Sequence, residues 1–334
     1  MIIGIDVGYG YTKAVAENGQ RIIFPSVVGT GFERKMEKMI HEGAPSEADN
    51  YDLVVKNGDE RHHYFVGNLA LLQSRDAVRP YMSERSTGED IKPQLLTALG
   101  VLCQDEPAVL VTGLPLKSFF KQAKALKASL ERLSGVEVEI NGRPVGIWLE
   151  RVVMFPQAVA ALYGKLLKDK VGSSGAVGLV DVGFRTTDFV VFDLGSKKVL
   201  EEYNDTVTAG TNNIVLGVQK EIGEDAGVTP NPERVEQAIR TGGPFHFNRK
   251  EYDIAALVAE KEEALGKLIA SKVARKWSDI QEDLQVIYLA GGGAAAVQRA
   301  LSKVAPCEVM ENCQFANAYG YLLKGIGKKE TASM

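Results

Sequence analysis

Cysteine is scarce: Cys103, Cys307 and Cys313 are the only three in 334 residues. The number is odd and no two have CxxC spacing, which excludes a disulfide framework or a zinc cluster and fits a reducing cytoplasm. No apolar run approaches the roughly 18 residues that span a bilayer, so no membrane segment is expected. A basic excess is also missing. Lys and Arg number 39 against 43 Asp and Glu, a net charge of -4, so direct contact with DNA phosphates is not expected. The four histidines, His41, His62, His63 and His246, lack metal-ligand spacing. The first residues carry no charged region and no cleavage site, and read as a strand rather than a signal peptide. No GxxxxGK[ST] occurs, and the glycines at 291–293 do not form GxGxxG, which disfavours the Walker and Rossmann classes.

What is present starts with a repeat. Residues 5–15 read IDVGYGYTKAV and residues 180–190 read VDVGFRTTDFV. Aligned without gaps, they share Asp-Val-Gly, an aromatic, then Thr four residues after the Gly, then a charge. Each copy joins two apolar runs through a glycine turn, which is a β-hairpin pattern. Two such hairpins half a chain apart imply two lobes with one core plan. Between and after them, apolar strands alternate with amphipathic segments, which gives an α/β class. Helical spacing is read at 64–74, 91–103, 119–133, 157–168, 211–222, 254–277 and 315–323. Residues 326–334 read as a frayed tail, and 168–175 as a polar hinge approach. Asn141-Gly142 marks a tight hairpin, and Phe245-His246-Phe247 a strand or interface edge. Trp148 and Trp277 read as packing residues. Lys121, Lys124 and Lys127 read as a solvated helix face.

The chemistry-bearing residues cluster on the repeats. Gly8 and Gly10 let backbone N–H groups approach an anion. Asp6 would repel a phosphate directly and suits Mg²⁺ or its waters, whereas Lys13 can reach a phosphate. Asp181, Gly183, Thr186 and Thr187 repeat the device. Two such turns closing on one triphosphate would supply the positioning and charge neutralisation that phosphoryl transfer requires. Gly291-Gly292-Gly293 leaves a helix N-terminus bare for a nucleotide. Gln157, read at the start of a helix after Pro156, is a neutral amide suited to orienting a water.

These residues resemble the signatures of the actin/Hsp70/hexokinase ATPase superfamily. Five appear in order: 6–13, 155–164 with Gln157, 181–188, 289–294, and 314–325 with Asn317, Ala318 and Gly320. Within the superfamily the chain is most similar to the ParM/StbA plasmid-segregation actins and the archaeal actin-like proteins. The resemblance implies two ribonuclease-H-like lobes with a nucleotide cleft between them. Lobe I is expected at 1–150, with an insertion near 29–85 and completion by a helix at 314–325. Lobe II is expected at 151–313, with an insertion near 215–280. The implied ligands are ATP, with GTP as the alternative, and Mg²⁺ held through water by Asp6 and Asp181. Asp181, Gln157 and Asp6 would be catalytic. Tyr9, Tyr11, Thr12, Lys13, Phe184, Arg185, Thr186, Thr187, Gly210 and Asn213 would join the glycines around the nucleotide. Polymerisation into filaments destabilised by hydrolysis is implied, as is a DNA-binding adaptor that links the filament to a plasmid. The alternatives are a small-molecule kinase using Asp76, Asp90 or Asp105, and an ATP-binding scaffold that does not polymerise.

Overall fold

The computed structural model describes residues 1–35, 50–57, 60–79, 89–168, 172 and 174–332. His41, residues 169–171 and 173 of the 168–175 segment and part of the 29–85 insertion lie outside the described residues. The chain divides into two compact units, Met1–Gly164 with Asn317–Met334, and Lys165–Ala316.

The first unit opens with β1 (Ile2–Val7), β2 (Tyr11–Ala16), β3 (Arg21–Pro25), β4 (Val28–Thr30), β5 (Asn50–Asn57), β6 (Glu60–Gly67) and α1 (Asn68–Gln73). It continues through α2 (Lys92–Cys103), β7 (Ala108–Thr112), α3 (Leu116–Glu131), β8 (Val136–Ile140), β9 (Arg143–Ile147), β10 (Leu149–Met154) and α4 (Val159–Lys168). Every residue of β1 and of β7 is buried, the pattern of strands covered on both faces. They lie inside a sheet of order β10-β7-β1-β2-β3, in which β7 runs parallel to both β1 and β10. A second, antiparallel sheet has order β4-β6-β5-β8-β9. Its β8–β9 turn is Asn141-Gly142 with both φ values positive (50° and 81°), the twist a two-residue hairpin prefers.

The second unit contains β11 (Ala176–Val182), β12 (Thr187–Asp193), β13 (Lys198–Val199), β14 (Asp205–Val207), α5 (Asn212–Ala226), α6 (Pro232–Thr241), β15 (Phe245–Phe247) and β16 (Lys250–Tyr252). Then follow α7 (Ala255–Lys276), β17 (Leu284–Ala290), α8 (Ala294–Leu301) and β18 (Cys307–Val309); α9 (Ala316–Ala332) closes the chain. The main sheet has order β13-β12-β11-β17-β18, and β14 also pairs with β12. Both units therefore repeat one arrangement: a central antiparallel hairpin extended by antiparallel pairing on one side and by two parallel strands on the other. Trp277 is fully buried beneath this sheet, edge-on to Phe189, with its indole N–H donated to the Tyr203 carbonyl at 2.8 Å.

Several sequence expectations change. The 64–74 segment is the end of β6 followed by the short α1, because the His62–Val66 stretch pairs along β5 and Gly67 (φ 73°) breaks the strand before the helix. The first unit extends past residue 150 into α4, since β10 is hydrogen-bonded to β7 in its own sheet. The last helix does not stop near Leu323 but runs to Ala332, through most of the expected tail. Trp148 is 51% exposed and lies over Gly146 rather than in a core.

Cys103 lies in α2 with no exposed surface, and burial pushes its thiol up to about 12. At pH 8 a thiol reagent is expected to modify Cys307 and Cys313 in native protein and Cys103 only after unfolding, as read by peptide mass spectrometry. Labelling of native Cys103 at the rate of the other two would contradict the packing of α2.

Candidate functional site

The two repeat hairpins are built alike. In the first, Val7 faces Thr12 and Asp6 faces Lys13 across the ladder; in the second, Val182 faces Thr187 and Asp181 faces Asp188. Each loop has four residues, and each is closed by the glycine N–H on the carbonyl of the fourth: Gly8 to Tyr11 at 3.1 Å, Gly183 to Thr186 at 2.9 Å. Each places an aspartate at the end of a buried strand, Asp6 at 4% and Asp181 at 8% exposure.

In the first unit, Asp6 anchors a polar cluster. Lys13 Nζ lies 3.3 Å from Asp6 Oδ2, and Gln157 Nε2 donates to Asp6 Oδ1 at 2.8 Å. Because a carboxylate only accepts, the amide nitrogen of Gln157 faces Asp6 and its oxygen turns away. A Cβ at Gly8 would lie 3.0 Å from the Tyr11 carbonyl and 3.1 Å from Lys13 Nζ, so glycine allows the lysine to lie over the turn. Behind the loop, buried Arg79 donates from Nη1 to the Gly10 carbonyl at 2.6 Å. Lys13 and Arg79 thus bring positive charge to this loop beside the Asp6 carboxylate. Thr12 is fully buried and its hydroxyl is hydrogen-bonded to Ser26 Oγ at 2.9 Å.

In the second unit, three segments converge on the hairpin. Gly210 lies on the turn, where a Cβ would come within 2.5 Å of the Gly183 carbonyl. Its N–H is held by Asn213 Oδ1 at 2.9 Å, while Thr211 N–H and Asn212 N–H donate to the Gly183 and Phe184 carbonyls. The 291–293 loop is strapped to the same hairpin. Gly293 N–H donates to the Val182 carbonyl at 3.0 Å, and Gly291 N–H to the Cys313 carbonyl at 2.9 Å. Gly291 has φ 82°, and a Cβ there would meet the Val182 carbonyl at 2.3 Å and Asp181 Oδ1 at 2.5 Å, so only glycine fits over the aspartate. At Gly292, by contrast, a Cβ would touch nothing closer than Gln314 Nε2 at 3.9 Å. Burial, with the nearby Asp181 charge adding to it, pushes the Cys313 thiol up. Arg185 and Thr186 sit half-buried on the turn.

The structure thus gathers Asp6, Gly8, Tyr9, Gly10, Tyr11, Lys13 and Gln157 within the first unit. It gathers Asp181, Gly183, Phe184, Gly210, Asn213 and the three glycines within the second. Thr12 and Thr187 differ from the sequence reading. Thr187 is fully buried with its hydroxyl donated to the Ala209 carbonyl, so both threonine hydroxyls tie a hairpin to the following segment instead of facing its loop. Gln157 also differs, since it lies in a turn two residues before α4 rather than in the helix. Arg79 was not singled out by sequence; a lone arginine carries no spacing signal.

Two comparisons decide the family. A family model described as the N-terminal domain of actin like proteins matches residues 4–159, and one described as the C-terminal part of the archaeal actin homologue, MreB-like, matches 179–303. The chain is an actin-like protein. An archaeal actin homolog of Thermoplasma volcanium is 26% identical to it over 96% of this chain and 97% of its own length. Among solved structures, the 15-stranded ParM filament from Clostridium botulinum is 28% identical with a TM-score of 0.85, covering 98% of this chain and 99% of that one. An archaeal actin homolog in complex with ADP shares the fold at 22% identity, TM-score 0.79, over 98% of this chain and 99% of that one. The two-lobed α/β architecture expected from the sequence is therefore that of the actin-like fold.

The residues also bear on the kinase alternative. Asp76 accepts from Thr30 N–H and hydroxyl, and those two bonds hold its carboxyl below the usual range. Asp105 accepts from Gly146 N–H at 2.8 Å. Both are engaged in fixing backbone, which is poor preparation for a general base.

Proposed function

We propose that this actin-like protein binds ATP, or GTP in its place, with magnesium through the two glycine hairpins and hydrolyses it to the diphosphate and phosphate. The observation that carries the reading is the pair of identically built turns, each ending a strand on a buried aspartate. The residues fit the ligand: Gly292 leaves open space on its loop, the nearest described atom to a Cβ there being Gln314 Nε2 at 3.9 Å, and the carboxylates offer the one or two protein oxygens magnesium takes when phosphates and water supply the rest. Magnesium would neutralise charge on the terminal phosphates. Lys13 binds a phosphate oxygen, Asp6 and Asp181 hold the metal's waters, and Gly210 with Gly291–Gly293 flanks the nucleoside. Asp181 and Gln157 orient the attacking water, with the Gln157 oxygen as the acceptor that points it.

We also propose that the nucleotide state governs assembly into a homopolymeric filament in the cytoplasm, and that hydrolysis weakens the polymer. A filament is the assembly named for the relative at 28% identity. A DNA-bound adaptor protein would connect such a filament to a plasmid, consistent with the net charge of -4. Electron microscopy of the pure protein with ATP, with ADP and without nucleotide should show filaments favoured by ATP, alongside measurable phosphate release. Isothermal calorimetry in magnesium buffer should give binding of a purine triphosphate, weakened about tenfold or more in Lys13→Ala by loss of a charge-assisted contact. No binding of either triphosphate to the wild-type chain would overturn the assignment.

A further inference from the structure

Gln157 is followed by a residue in an unusual conformation. Ala158 has φ 61°, the left-handed region, and is fully buried. Glycine adopts that region freely, and Asn or Asp does so with help from its own side chain; alanine has neither advantage. Such a conformation persists only where the surroundings enforce it, and it occurs disproportionately at functional sites. Here the surroundings are identifiable. The Ala158 N–H is donated to Asn317 Oδ1 at 3.0 Å, a buried bond between residues 159 apart in sequence. The Ala158 carbonyl accepts from Leu162 N–H at 2.9 Å and so begins α4. Gln157 itself is held by its N–H on the Leu114 carbonyl at 3.0 Å and its carbonyl on Val159 N–H at 2.7 Å.

Asn317 stands in the first turn of α9, next to a residue that packs against the strand carrying Asp6. A Cβ at Gly4 would lie 2.2 Å from the Ala318 carbonyl, so α9 rests directly on β1. One helix therefore braces both the strand that delivers Asp6 and the peptide that aims Gln157.

We propose that Asn317 is a positioning residue for hydrolysis: its side-chain oxygen holds Ala158 left-handed and thereby fixes the direction in which Gln157 presents its amide. The role proposed for Asn317 is indirect: it acts through the Gln157–Ala158 peptide. The proposal rests on the reading that Gln157 orients the attacking water, and it adds a residue to which that reading gives no role.

The test uses the full chain, with phosphate release and ATP–Mg²⁺ affinity measured separately for each variant. Asn317→Ala is expected to lower the turnover rate about tenfold or more while the dissociation constant stays within about twofold. Asn317→Asp keeps an acceptor oxygen in place and should retain most of the rate. Ala158→Gly in the Asn317→Ala background should recover part of the loss, because glycine holds φ 61° without the bond. Full turnover in Asn317→Ala overturns the proposal. So does a parallel loss of rate and affinity that Ala158→Gly leaves unchanged, which marks a general folding role. If Asn317→Ala loses its native circular dichroism, the folded Asn317→Asp variant decides: a rate near wild type supports the proposal and a loss beyond tenfold overturns it. Gln157→Ala, run beside these, separates the two claims, since wild-type turnover there removes the role of Gln157 itself.

Discussion

Phosphate release by an Asp181→Ala variant is expected to fall by about 10²–10³, the range typical of losing one preorganised polar group at a reacting phosphate or acyl centre. A hundredfold loss corresponds to about 2.7 kcal/mol of transition-state stabilisation. Binding and assembly should largely survive, because Asp181 is one contributor among several in its unit. The Gly210 and 291–293 segments are fastened to the hairpin by backbone bonds that do not use the carboxylate. A truncated side chain at a position 8% exposed removes a charge from beneath Gly291 without opening a large void. The measurements are phosphate release and light scattering on the same sample. Turnover at the wild-type rate would remove Asp181 from catalysis, whereas loss of both turnover and nucleotide binding would recast it as a binding residue.

A second large effect concerns stability and pits two known contributions against each other. Gly320 lies inside α9, where replacing glycine with alanine would by helix propensity alone stabilise the chain by about 1 kcal/mol. A Cβ at this position, however, would stand 1.9 Å from the Ala160 carbonyl oxygen and 2.3 Å from its carbon. Both atoms are backbone, and α4 cannot recede without disturbing Gln157 and Ala158 just before it. Overpacking of this kind costs about 1–3 kcal/mol and occasionally more, so the clash wins. Gly320→Ala is expected to destabilise the protein by about 2 kcal/mol, read as a lower urea midpoint. Gly327→Ala in the same helix is the control: among the described residues its Cβ would meet the Tyr163 hydroxyl at an ordinary 3.6 Å, and it should be neutral or mildly stabilising. Equal stability of the two variants would mean that α4 and α9 are less closely packed than the structure has them.

The parts of the fold legible in the sequence were those with a local cause. The two hairpins announced themselves through the repeated Asp-Val-Gly and their flanking apolar runs, and Asn141-Gly142 named its own turn. The 64–74 segment misled because a run of His, Tyr, Phe and Val has no periodicity of its own. Its strand character comes from pairing with β5, which begins ten or more residues away across a charged stretch. Gln157 was recognisable as a water-orienting amide, but its position outside the helix was not, since Pro156 followed by apolar spacing reads as a helix start. The left-handed Ala158 that displaces the start has its cause 159 residues downstream at Asn317. Arg79 shows the same limit: nothing near it in sequence says that its guanidinium closes on the Gly10 carbonyl. Long-range bonds of this kind are set by the finished packing, whereas turns and strand ends are set by a few neighbouring residues.

The matched ladders of the two hairpins carry one more implication. Side chains along a strand alternate between faces with a period of two and cross-strand partners share a face, so the loop length fixes which residue stands beside each aspartate. With Val7 opposite Thr12 and Val182 opposite Thr187, four intervening residues are what bring Lys13 across from Asp6 and Asp188 across from Asp181. The chemical content of those four positions has already diverged, from Gly-Tyr-Gly-Tyr to Gly-Phe-Arg-Thr. Their number is the invariant: it sets the register in which the second strand of each hairpin meets the first, and so which residue stands across from each acid.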